Sequence, residues 1–99
     1  MEIVDTKSIV KFSPDGFKPQ ILSVTPDLKV PFICMEDGQM IPPHPGGTGI
    51  FYVIEGVALF TVDGEKREVE AGSIIVVPEG AKRGVAAKGR LVAIAFHLS

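Results

Sequence analysis

The chain has 99 residues, room for one domain with one core, and its 45% hydrophobic and 22% charged content excludes a disordered segment. A formal net charge of -2, from 10 Lys+Arg against 12 Asp+Glu, provides no global field to gather nucleic acid or anionic lipid, and a single cysteine, Cys34, excludes an internal disulfide and any Cys-x-x-Cys pair. No apolar stretch approaches the roughly 20 residues that span a bilayer, so a cytoplasmic protein with one domain over residues 1–99 and no nucleic-acid or membrane partner is expected.

Glycine and proline cut the chain into short pieces, at Pro14-Asp15-Gly16, Pro26-Asp27, Asp37-Gly38, Glu55-Gly56, Asp63-Gly64, Gly72, Pro78-Glu79-Gly80 and Lys88-Gly89. The runs between them are rich in Val, Ile, Phe and Thr, too short and too β-branched for amphipathic helices. They predict strands at Lys18 to Val24, Val30 to Glu36, Ile50 to Ile54, Val57 to Val62, Glu65 to Val69, Ser73 to Val77, Arg83 to Ala87 and Arg90 to Leu98. Asp63-Gly64 is the clearest hairpin, because both residues tolerate the positive φ of a type I′ turn. Lys66-Arg67-Glu68-Val69-Glu70 reads as an exposed or edge strand, whereas Ile74-Ile75-Val76-Val77 is apolar on both faces and predicts cover on both. Eight strands in two packed antiparallel sheets meet that need, and the apolar surplus predicts that a second copy supplies part of the cover in a homodimer.

Pro42-Pro43-His44-Pro45-Gly46-Gly47 stands apart. The prolines restrict φ and remove backbone donors before His44, and the glycines free the chain after it. A loop entering the strand at Ile50 and a base or ligand held at a cavity mouth both fit this pattern.

Gly72-Ser-Ile-Ile-Val-Val-Pro78-Glu-Gly80-Ala-Lys-Arg83-Gly-Val-Ala-Ala87 carries a resemblance. The chain resembles a single-domain cupin, whose second motif is Gly, five residues, Pro, one residue, Gly, two residues, His, three residues, Asn. Gly72, Pro78 and Gly80 match, but Arg83 stands at the metal-ligand histidine and Ala87 at the Asn. In the first motif Gly38 leads to His44 at the first histidine position, Gly46 falls at the second, and counting back from Gly56 puts the ligand glutamate at Gly49. The loop between them is short, so His44 also fits the second histidine. The resemblance implies an all-β double-stranded β-helix, a jelly-roll barrel of two antiparallel sheets, and it covers about Ile33 to Phe96.

Metals of this family need several donors converging at about 2 Å, and His44 alone remains at a matched position. A guanidinium at a ligand position repels a divalent cation, while its donor fork suits a carboxylate or phosphate. Turned inward, Arg83 converts the pocket to anion recognition; turned outward, it joins Lys82 in a solvated patch or pairs with Glu79. With the family's inward positions as guide, Cys34, Met40, Phe51 and Val85 line a mainly apolar cavity with Arg83 and His44, and Phe96 is a further candidate.

The leading expectation is therefore a small-molecule binding domain for an organic acid, without assured catalysis and without a cofactor. One alternative is a metal-dependent isomerase, lyase or dioxygenase-like enzyme of the family, holding Zn, Fe, Mn or Ni through His44 with Cys34, His97 or Glu36, or using His44 as a base. Another is a structural or subunit-interaction module with its interior filled by side chains.

Overall fold

The structure is a computed structural model that describes Met1–Ser99 throughout. Seven strands form: β1 Gln20–Val24, β2 Leu28–Met35, β3 Met40–His44, β4 Gly49–Val62, β5 Glu65–Glu70, β6 Ile74–Val77 and β7 Arg83–Leu98, after a single 3-10 turn at Thr6–Ser8. No helix is long and apolar enough to cross a membrane. The strands pair antiparallel in one sheet ordered β1-β2-β7-β4-β5, with β3 on β7 and β6 on β4.

All-β architecture is present, but the expected jelly-roll barrel of two sheets is not. The pairing path ends at β1 and β5, which do not pair with each other, so the sheet is not closed. The cause lies in two glycines that read as strand ends and are not. β4 runs through Gly56 for 14 residues, and β7 runs through Gly89 for 16. At Gly56 φ is 88°, and a Cβ would fall on the carbonyl oxygen of Arg90, so only glycine lets the strand pass. The register shifts on both sides of Glu55 and then resumes, with Val57 opposite Lys88. β4 carries β6 along its first part and β5 along its second, with β7 beside both, so one ladder spans what separate sheets would divide.

The Pro42-Pro43 segment is not a loop but part of an edge strand. Met40 and Ile41 lie opposite Ala86 and Val85, the register shifts across two residues with no N–H to donate, and His44 resumes opposite Arg83. The Asp63-Gly64 turn forms as its chemistry predicts, with φ of 48° and 85° and Val62 opposite Glu65.

Period-two alternation sorts the side chains. Ile33, Met35, Phe51, Val53, Phe60, Val85, Leu91 and Ala93 belong to the main core. Their neighbours Phe32, Cys34 and Val92 point to the opposite face, under Ile9 and Phe12 of the N-terminal segment. That segment is tied down by Gln20 Nε2 donating to the Ile9 carbonyl at 2.7 Å, by Gln39 Nε2 donating to the Ser13 carbonyl at 2.7 Å, and by the Arg90 guanidinium 4.5 Å from the Phe12 ring centre. It leaves β6 open. Ile74 is 64% exposed and Val76 67%, beside Tyr52 on β4, so the two-sided cover expected for β6 is not met within one chain.

Candidate functional site

A cavity of about 420 Å³ is bordered by residues of β1, β2, β3, β4 and β7. Phe17, Ile21, Ile33, Met40, Ile41, Phe51 and Val85 supply apolar wall, and Lys29, His44, Arg83 and His97 supply its ionisable groups. No carboxylate lines it. The arrangement, apolar with a few polar groups of one sign, is that of a small-molecule site.

Arg83 is the centre of the site and is only 2% exposed. It is turned inward, and the outward patch with Lys82 and the pairing with Glu79 are not found. It has no ion-pair partner. Instead Nε–H donates to the Ala81 carbonyl at 3.0 Å, and Nη2 donates to the carbonyls of Gly46 at 3.3 Å and Pro78 at 3.2 Å. A guanidinium has five N–H donors; the three on Nε and Nη2 are used, and the two on Nη1 have no protein partner. Every fully buried polar side-chain atom in the protein is hydrogen-bonded, so the unpartnered Nη1 must reach the cavity surface.

The residues standing at the family's ligand positions explain how the guanidinium fits. A Cβ on Gly49 would lie 2.8 Å from Arg83 Nη1, and one on Gly46 would lie 3.5 Å from it. Glycine at both positions leaves the volume that the arginine occupies. The Pro78-Glu79-Gly80 turn, closed by the Ala81 N–H on the Pro78 carbonyl at 3.2 Å, aims two carbonyls at the same group.

His97 and Lys29 complete the site and were not legible as site residues from any motif. His97 lies opposite both Gly49 and Lys29 in the sheet, and its ring packs edge-on to Phe51 with centroids 5.4 Å apart. Burial pushes its pKa below the ordinary 6.5, and the charges of Arg83, Lys29 and His44 push the same way. The available signal was alternation counted from the C-terminal strand: Ala93 and Ala95 face the core, so His97 does too.

The structure thus brings Arg83, His44, Met40, Phe51 and Val85 to one cavity. Cys34 is not among them; alternation along β2 turns it to the opposite face, where burial raises the thiol pKa and a backbone hydrogen bond with Lys11 lowers it less. Phe96 likewise points away, one residue out of phase with His97, and is 37% exposed. His44 is exposed at the rim; with Nδ1 protonated, its N–H donates to the Pro42 carbonyl at 3.0 Å.

No group of three or more His, Cys, Asp or Glu side chains is placed to hold a metal ion. Glu36, a candidate fourth donor, is engaged instead with Arg90 at 2.8 Å. Two imidazoles beside a guanidinium, without a carboxylate, do not fit a divalent transition metal, whose site needs several lone pairs and no competing cation.

A family model described as "Cupin domain" matches residues 31–97. Among solved structures, a conserved protein of unknown function from Streptococcus pyogenes is similar over 99% of this chain and 87% of its own, at 23% identity and a TM-score of 0.89. A protein from Thermus thermophilus is similar over 99% of this chain and 98% of its own, at 19% identity and a TM-score of 0.89. An RmlC-like cupin from Shewanella frigidimarina is similar over 84% of this chain and 76% of its own, at 25% identity and a TM-score of 0.78. These likenesses speak for the fold. No curated protein matches the chain.

Proposed function

The chain belongs to the cupin domain family, and we propose that it uses the family's cavity to bind a small organic anion, with Arg83 as the charged anchor and without a tightly held metal. One observation carries this reading: a guanidinium that is 2% exposed, has no carboxylate partner and keeps one nitrogen free toward the cavity. Burying a charge without a counter-ion is expensive, and native proteins pair such groups. Carbonyl dipoles orient Arg83 but do not neutralise it. Lys29 at the cavity edge adds to the positive field, and an anion entering meets no like charge.

The apolar wall gives the rest of the ligand its character: a compact aromatic or aliphatic body behind the acid group. Met40, Ile41, Phe51 and Val85 offer it dispersion contacts and no second polar anchor. The two cavity imidazoles have no carboxylate to set a tautomer or relay a proton, so binding rather than turnover is the function proposed. Two copies are proposed to associate through the open face of β6 and β4, where Tyr52, Ile74 and Val76 are exposed.

Calorimetric titration with benzoate and with straight-chain carboxylates tests the anchor. The wild type should bind at least one of them, and Arg83→Met should weaken that binding by about a hundredfold, the scale of a buried charged hydrogen bond. Equal affinity in the two proteins would remove the proposal.

A further inference from the structure

Which part of the cavity takes the acid group follows from Gly49, and this inference rests on the anion-binding reading above. A point one Cβ out from Gly49 lies 2.8 Å from Arg83 Nη1, 3.3 Å from Phe51 Cε2 and 3.4 Å from His97 Nδ1. Two nitrogens from opposite ends of β7 therefore border the same small space over the same glycine. Nη1 carries two unused N–H donors, and the His97 imidazole has no hydrogen-bond partner within the protein. We propose that the carboxylate of a monocarboxylic acid bridges Arg83 Nη1 and His97 at the cavity surface beside Gly49.

The donor geometry selects carboxylate over phosphate. Arg83 cannot present a two-nitrogen fork, because Nε and Nη2 are committed to backbone carbonyls. One free nitrogen and one imidazole match two oxygens, whereas a phosphate would leave further charged oxygens against Phe51 and Val85.

The bridge also couples binding to a proton. The groups facing His97 are Lys29 on β2, Arg83 on its own strand β7 and His44 on β3, with uncharged Gly49 and Phe51 on β4, and none is an acid. Burial first, and this cationic setting with it, disfavour the imidazolium. An anion against it reverses the field and favours the imidazolium, whose Nδ1–H then donates to the carboxylate. Binding should therefore take up protons, and affinity should rise as pH falls toward the free protein's imidazole value, which lies below the ordinary 6.5.

The test is titration of the full chain with benzoate, near that pH, in two cationic buffers of different ionisation enthalpy. Wild type should bind with net proton uptake. His97→Gln should bind about three- to tenfold more weakly without that uptake, and Gly49→Ala should bind at least about tenfold more weakly because its methyl would displace the guanidinium, whose Nη1 lies 2.8 Å away. Arginine-dependent binding with no proton uptake, unchanged by His97→Gln, would overturn the bridge while leaving the anion reading intact. So would inorganic phosphate binding more tightly than benzoate. Absence of binding by benzoate and straight-chain acids, or binding indifferent to Arg83→Met, would instead overturn the reading beneath it. Should Gly49→Ala fail to fold, the proton count and His97→Gln still decide the matter.

Discussion

Arg83 Nη1 lies 2.8 Å from the place where a side chain on Gly49 would begin. The two residues stand on neighbouring strands at opposite ends of their pairing, since Gly49 faces His97 and Arg83 faces Val62. They meet because β3 returns the chain to Arg83, with His44 opposite it, just before Gly49, and the arginine side chain ends over the bare backbone of that glycine. Each substitution makes sense through the other: arginine needs the space, and glycine supplies it.

Gly49→Asp is the corresponding prediction. A carboxylate built into the chain there would neutralise Nη1 and compete with any ligand anion for it. Benzoate affinity should fall by at least about tenfold, a loss of about 1.4 kcal/mol. Calorimetry checks this, and undiminished binding would separate the glycine from the anion site.

Stability should depend on pH through His97. Its pKa is lowered in the folded state, so the unfolded chain binds the proton more readily. The associated stability is fully present above the unfolded value near 6.5 and is lost as pH falls from there through the folded value. Urea denaturation across this window should show a steeper decline for wild type than for His97→Gln. Parallel profiles would contradict the assigned environment.

Cys34 tests the separation of the two faces. Cys34→Ser puts a hydroxyl into the small apolar cluster with Phe32 and Val92, and should destabilise by about 1–3 kcal/mol. Benzoate affinity, read at a pH and temperature where the variant is folded, should match that of wild type. A selective loss of affinity would place the thiol nearer the site than β2 allows.

The open face of β6 leads to a prediction about assembly. Val76→Lys, on a residue that is 67% exposed, leaves the core untouched. Sedimentation should show wild type as a dimer and the variant shifted to monomer. A monomeric wild type at high concentration would end the homodimer proposal.

Much of this is legible in the sequence, and the gaps have definite causes. Asp63-Gly64 encodes its hairpin locally, and Gly72, Pro78 and Gly80 carry a family pattern, so both were legible. Glu55-Gly56 and Lys88-Gly89 looked like turns because a positive-φ glycine serves a turn and a bulge equally well; only the carbonyl of Arg90 packed on Gly56 tells them apart. That ambiguity divides two long strands into four short ones. Pro42-Pro43 hid β3, since prolines argue against a strand except at an edge. Arg83 could be located in the chain but not oriented, because its inward turn depends on Gly46, Gly49 and Pro78 from other segments. His97 lies in no motif, and Cys34 stands one step of alternation from Ile33, which is the residue that borders the cavity.

The central claim, that Arg83 is kept for a ligand rather than for the fold, is tested most directly by the stability of Arg83→Met with and without benzoate. Two of the carbonyls it would release keep backbone partners, Gly46 from the Gly80 N–H at 2.8 Å and Pro78 from the Ala81 N–H at 3.2 Å, so the loss of hydrogen bonding is small. Removal of an unpaired buried charge should offset it, leaving the variant within about 1 kcal/mol of wild type, or above it, in buffer alone. Benzoate at a hundred times its wild-type Kd should then stabilise wild type by about 2.7 kcal/mol and the variant by no more than about 0.4 kcal/mol. A variant that loses about 3 kcal/mol or more in buffer, beside a wild type that benzoate does not stabilise, would make Arg83 a structural brace and contradict the account.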